Sequence, residues 1–202
     1  MKSISKRLLV LSVVLVVVAV AYAWWMNIPP LQGNRNAGLP REHMRLIGAQ
    51  SDHIDLLFSQ HGGAYFNFSG EQVSVFIAHF QRDEPVLHEL ITSIENSGTW
   101  GGGGSMSWGL TTEGGNPGEI RVLLALDGGT VSSTFDFSRL DFEPWLISGP
   151  EMADGRIEPG RRYALQVWQT GNTVRVVGSE PAFDPEQLRM SEHTAILYIV
   201  FN

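Results

Sequence analysis

The chain has 202 residues, 43% hydrophobic and 17% charged, with a formal net charge of −7 and no cysteine. That balance leaves room for one ordinary domain plus a targeting segment, and it excludes a disordered chain, which needs few apolar and many charged residues. The missing cysteines exclude disulfides, thiol catalysis, thiolate metal sites and a lipidated cysteine.

Residues 1–7 are short and basic, and Leu8 to Met26 contains no charged side chain. A helix over those nineteen residues would measure roughly 28 Å, close to the ~30 Å hydrocarbon core of a bilayer. Ala21-Tyr22-Ala23 fits a signal-cleavage site, but Trp24, Trp25 and Met26 carry the apolar run past it. Indoles at the end of such a run suit the headgroup region. The segment therefore reads as an uncleaved signal anchor. Residues 1–7 form a cytoplasmic tail, 8–26 a transmembrane helix stopped by Pro29-Pro30, 27–40 a linker rich in Pro, Gly and Asn, and 41–202 an extracytoplasmic domain. Lys2, Lys6 and Arg7 keep the N-terminus inside. The short export segment and absent cysteines suit a bacterial envelope protein. Beyond residue 26 stand 11 arginines against 21 acidic residues, a formal −10. An acidic domain repels phosphate backbones, so no nucleic-acid partner is expected.

Arg41 to Gln60 is ambiguous between a helical face and a strand, with Ile54, Leu56 and Phe58 favouring the strand. After it, strand signals recur: 64–69 and 73–81 around the turn "GEQ", 86–94 as strand or short helix, then 105–112 and 119–126 around "EGGNPG". Residues 130–138 follow the turn "DGG", with Val131, Ser133, Phe135 and Phe137 on one face. Residues 162–170 and 173–179 look like a hairpin through Gly171-Asn172. "TAILYIVFN" (194–202) reads as a buried central strand. Many short strands separated by Gly, Pro and Asn predict a mainly β fold, an antiparallel β-sandwich of immunoglobulin/fibronectin-like or jelly-roll-like type behind one transmembrane helix.

"IEPGRRYALQV" (157–167) resembles the corner of fibronectin type III and immunoglobulin-like sandwiches. The resemblance implies a buried Tyr163 after the Pro159-Gly160 turn, with Ile157, Leu165 and Val167 facing inward. It also places Trp168 on the opposite face.

Candidate chemistry is sparse. His43, His53, His61, His79, His88 and His193 lack the close spacing of metal ligands, so no metal or cofactor is expected. No G-x-S-x-G nucleophile elbow is present, and twenty-one acidic residues do not single out a glycosidase pair. Gly101–Gly104 reads as a flexible loop. Trp100 and Trp108 bracket it and are the ligand-binding candidates, as exposed platforms for a protein or carbohydrate partner. The competing reading packs Trp100, Trp108, Trp145 and Trp168 in the core. Asn67-Phe68-Ser69 matches a glycosylation sequon but falls on a strand. The expected function is a membrane-anchored binding or assembly module, with residues 8–26 as the membrane contact and no catalytic site. The alternatives are an exported hydrolase with a hidden carboxylate pair, and an accessory subunit of a membrane complex.

Overall fold

Alternating apolar residues build two antiparallel sheets that face each other. The computed structural model describes residues 2–29, 31, 35–47, 58–95, 102–113, 116–126, 128–142, 146–148, 155–170 and 181–202. The first sheet holds β1 (His43–Ile47), β2 (Gln60–Phe68), β5 (Gly102–Glu113), β6 (Asn116–Leu126), β7 (Gly129–Asp136) and β9 (Gly155–Arg156), in the order β7-β6-β5-β2-β1-β9. The second holds β3 (Gln72–Gln81), β4 (Glu84–Glu95), β8 (Leu146–Ser148), β10 (Arg162–Gln169) and β11 (His193–Phe201), in the order β4-β3-β11-β10-β8. β11 is central and runs in register with β3 from His193 to Phe201, as its unbroken apolar sequence predicts.

The interior forms where the sheets meet. Phe66 and Phe68 of β2 set their rings edge-on to Phe201 of β11, with centroids 5.2 and 5.0 Å away. Trp108 of β5 meets Trp168 of β10 at 6.0 Å, and Phe137, in a 3-10 turn after β7, meets Trp168 at 5.2 Å. The Tyr163 corner forms as the resemblance implies. Its ring is buried, its hydroxyl donates to the Arg156 carbonyl at 3.0 Å, and the Glu158 N–H donates back to it at 2.7 Å.

Two expectations change, and the choice left open at 86–94 is decided. Val167 turns outward and Trp168 inward, because a β-bulge between Ala164 and Gln166 adds one residue and reverses the alternation beyond it. Gly102–Gly104 are strand and not loop: they pair with Phe68, Asn67 and Phe66. Glycine is needed there because a Cβ on Gly104 would enter the Phe66 ring and meet the Ala125 carbonyl at 2.8 Å. Residues 86–94 are strand throughout β4. The short strands β1, β8 and β9 carry too few residues for periodicity to reveal them. The strands expected at 54–58 and 173–179 lie wholly or almost wholly outside the described residues.

The N-terminal helix α1 (Lys2–Trp25) ends before the prolines. Asn27 adopts a left-handed conformation with φ of 52°, its N–H reaches the Trp24 carbonyl at 3.4 Å, and the Ile28 N–H reaches Ala23 at 2.8 Å. Those two bonds make a Schellman cap, with Asn in the position glycine usually takes. Among the described residues no helix is long and apolar enough to cross a membrane. The described side chains of α1 run from Leu9 to Trp25 and all but Ala23 are exposed.

The stretch expected as a linker over 27–40 is, in its described part, bonded to the sandwich. The Gly38 N–H donates to the Met26 carbonyl at 2.9 Å, and the buried Asn27 amide donates to the Leu39 carbonyl at 2.5 Å. The Asn36 amide then spans β2 and β5, donating to the Phe66 carbonyl at 2.9 Å and the Gly104 carbonyl at 2.8 Å. The buried Asn67 amide donates to Asn36 and Leu39, which leaves no room for a glycan on the folded domain.

Candidate functional site

The outer face of the five-stranded sheet carries a second apolar layer. Phe76 and Ala78 of β3, Ile196 and Tyr198 of β11, and Ala164 and Val167 of β10 all point away from the main core. The bulge in β10 is what sends Val167 there. A short segment covers part of this layer: a 3-10 turn at Pro181–Phe183 and then α2 (Pro185–Leu188), which bury Ala182 and Leu188. Asp184 caps α2 by accepting from the Glu186 N–H at 2.9 Å, with Pro185 suited to the first helical position. Arg189 ties the segment to the β3–β4 turn through Asp83, at 2.6 and 2.8 Å to one carboxylate oxygen.

Towards β4 the layer is open. His88 lies opposite Ala78, and Leu90 opposite Phe76. Phe76 stacks on His88 at 5.4 Å and on Tyr198 at 5.3 Å, and His88 Nε2 lies 2.5 Å from the Tyr198 hydroxyl. Burial pushes the Tyr198 phenol above its ordinary value, with the Arg162 guanidinium opposing. The phenol therefore stays protonated near neutral pH. Arg162 sits over Phe183 at 5.2 Å and over Tyr198 at 5.9 Å. Val86 and Leu90 remain 58% and 49% exposed beside this stack, giving an apolar patch next to one imidazole.

A second pair lies at the end of the same sheet, on its inner face. His79 Nε2 and His193 Nδ1 are 3.1 Å apart, and Phe142 stacks on both rings at 5.0 and 5.5 Å. Burial holds the His79 imidazole below its ordinary value, the charge of His193 adds to this, and Asp141 opposes it. One bond between two imidazoles needs one donor and one acceptor, so a single shared proton suits the pair and two do not. Among the described residues no group of three His, Asp or Glu side chains gathers to hold a metal ion.

Sequence reasoning singled out neither pair. His79 and His193 are 114 positions apart, and only the antiparallel register of β3 with β11 brings them together. Strand parity carries the signal: both fall in step with the inward residues Ile77 and Ala195. Trp108 is 6% exposed and packs against Trp168, so its ring offers no open platform, and Trp100 lies outside the described residues. A strand that alternates inward at Met106 and Leu110 must turn Trp108 inward too.

Comparison with protein-family models, with curated proteins and with solved structures found no match.

Proposed function

We propose that this protein is a bilayer-anchored display module: α1 crosses the membrane once, N-terminus inside, and holds a binding or assembly domain outside the cytoplasm. The observation that supports it most is the row of exposed apolar side chains along α1, with Leu9 to Trp25 leaving only Ser12, Tyr22 and the indoles any polar atoms. Seventeen residues fall short of a full span, and the sequence extends the charge-free run to Leu8 and Met26. In water that surface is unfavourable by about 25 cal/mol per Å² of apolar area, and a bilayer removes the penalty. The Tyr163 corner supports an immunoglobulin-type reading of the sandwich. Binding is favoured by the open patch of Val86 and Leu90 beside the His88–Phe76–Tyr198 stack, for a partner with an apolar surface and a hydrogen-bonding group.

Carbonate washing of membranes, with N-terminal sequencing of the retained protein, tests the anchor. The expected result is retention with the initial residues intact. A mature chain that begins at Trp24 and washes off would overturn it.

A further inference from the structure

We infer that the membrane contact does not end with α1: Ile28 and Leu31 extend it into an apolar rim that sits in the headgroup layer and seats the sandwich directly on the bilayer. The inference rests on the anchor reading and goes beyond it, by giving a lipid-facing surface to a stretch whose composition reads as a spacer.

The direction of the side chains is the first argument. In the described part of 27–40, Asn27 and Leu39 turn into the domain and are buried. Ile28 and Leu31 stay 37% and 40% exposed, close in sequence to Trp24 and Trp25, which are exposed too. The segment is therefore two-sided, and its open side is apolar.

Depth is the second. The Ile28 N–H donates to the Ala23 carbonyl at 2.8 Å, and the Leu31 N–H to the Ile28 carbonyl at 2.9 Å. The first bond lays Ile28 against the last turn of the helix. The second folds the chain so that the Cα atoms of Ile28 and Leu31 lie within about 7 Å, the limit for a tight turn. Indoles at the end of a span sit among the headgroups, a layer about 5–7 Å deep on each side of the hydrocarbon. Side chains held one turn from Trp24 and Trp25 share that layer.

The lack of slack is the third. The Gly38 N–H to Met26 at 2.9 Å and the Asn27 amide to Leu39 at 2.5 Å close the segment on itself. Asn36 pins it to β2 and β5, and the Arg41 guanidinium lies 3.7 Å over the Trp24 ring. A domain bonded to the helix end in this way has no stalk to stand on. The charge-free run from Leu8 to Met26 is at the short end for a span, so side chains at the interface set its depth.

The rim is apolar and the domain acidic, so zwitterionic lipid is the probe. Because the chain has no cysteine, each introduced thiol is the only labelling site. The full chain is reconstituted in phosphatidylcholine nanodiscs with a nitroxide on Ile28→Cys, Leu31→Cys or Leu90→Cys. Label depth is read from collisions with oxygen against those with a water-soluble nickel chelate. Leu90 is the control: it is apolar and exposed, but on the outer face of the five-stranded sheet, away from the β2–β5 clip. All three side chains are exposed, so the fold tolerates the replacements. Labels at 28 and 31 should lie within ~5–10 Å of the boundary between headgroups and acyl chains, and the label at 90 in water. A label in water at either 28 or 31, or a label at 90 as deep as those two, overturns the rim. Failure of the anchor reads differently: the chain then elutes apart from the discs, and the rim falls with it.

Discussion

Asn36 and Asn67 bond to each other reciprocally: the Asn36 N–H donates to Asn67 Oδ1 at 2.7 Å, and Asn67 Nδ2 donates to the Asn36 carbonyl at 3.0 Å. This exchange makes residues 35–40 part of the sandwich, and through the Asn27–Leu39 bond it orients α1 against β2 and β5. A helix clipped in this way transmits its tilt to the domain, where a loose tether would not.

Asn67→Ala strips that exchange and leaves the Asn36 N–H without its acceptor, while the Leu39 carbonyl keeps the Asn27 amide as a donor. Buried groups left unsatisfied cost about 1–3 kcal/mol. At ~2–4 °C per kcal/mol for a chain of this size, the melting temperature should fall by roughly 2–12 °C. Thermal denaturation followed by circular dichroism measures it. An unchanged melting temperature would show that other contacts hold the turn.

Tyr163→Phe keeps the buried ring and removes two bonds to backbone, so it should cost about 1–2 kcal/mol and leave the protein soluble. Deleting residues 194–202 is a different order of damage. β11 lies between β3 and β10, and its buried side chains at ~1.5–3 kcal/mol each exceed a typical domain stability of ~5–15 kcal/mol. The truncated chain should be insoluble. A soluble 1–193 chain with cooperative melting would contradict the central place of β11.

What the sequence made legible follows from how local each signal is. β11 could be read because a strand buried on both faces is apolar at every position. The Tyr163 corner could be read because a turn and the strand after it lie within eleven residues. The outward turn of Val167 could not, since a bulge is one extra residue with no composition of its own. Glycines 102–104 misled because their reason lies across the sheet, in the Phe66 ring above Gly104. The histidine pairs were hidden for the same cause: pairing of β3 with β4 and β11 sets them, and no spacing within one strand encodes it.

Gly104→Val tests the close approach at β5. The added side chain meets the Phe66 ring and the Ala125 carbonyl, and neither can retreat within a packed core. Overpacking of this kind costs about 1–3 kcal/mol or more, so low solubility or a clear loss of melting temperature is expected. Gly128→Asn is the matched control. Gly128 has φ of 83° with open space around its Cβ position, and Asn tolerates that conformation, so little change should follow. Equal behaviour of the two variants would show that Phe66 does not cover β5 as described.

The His79–His193 pair should make the domain less stable in mild acid. The folded His79 imidazole lies below its ordinary 6.5, from burial first and then from His193, with Asp141 opposing and the apolar Phe142 ring closing the other side. The unfolded chain therefore binds this proton more tightly than the folded one. Stability contributed by neutral His79 is complete above about pH 6.5 and is lost as pH falls through the folded value. Melting temperatures measured between about pH 7.5 and pH 5 should fall for the natural chain. His79→Gln keeps a polar group near His193 without a titrating proton, so its melting temperature should fall less over the same range. Parallel slopes for the two proteins would mean that the pair does not sense acid, and that the pH dependence arises elsewhere.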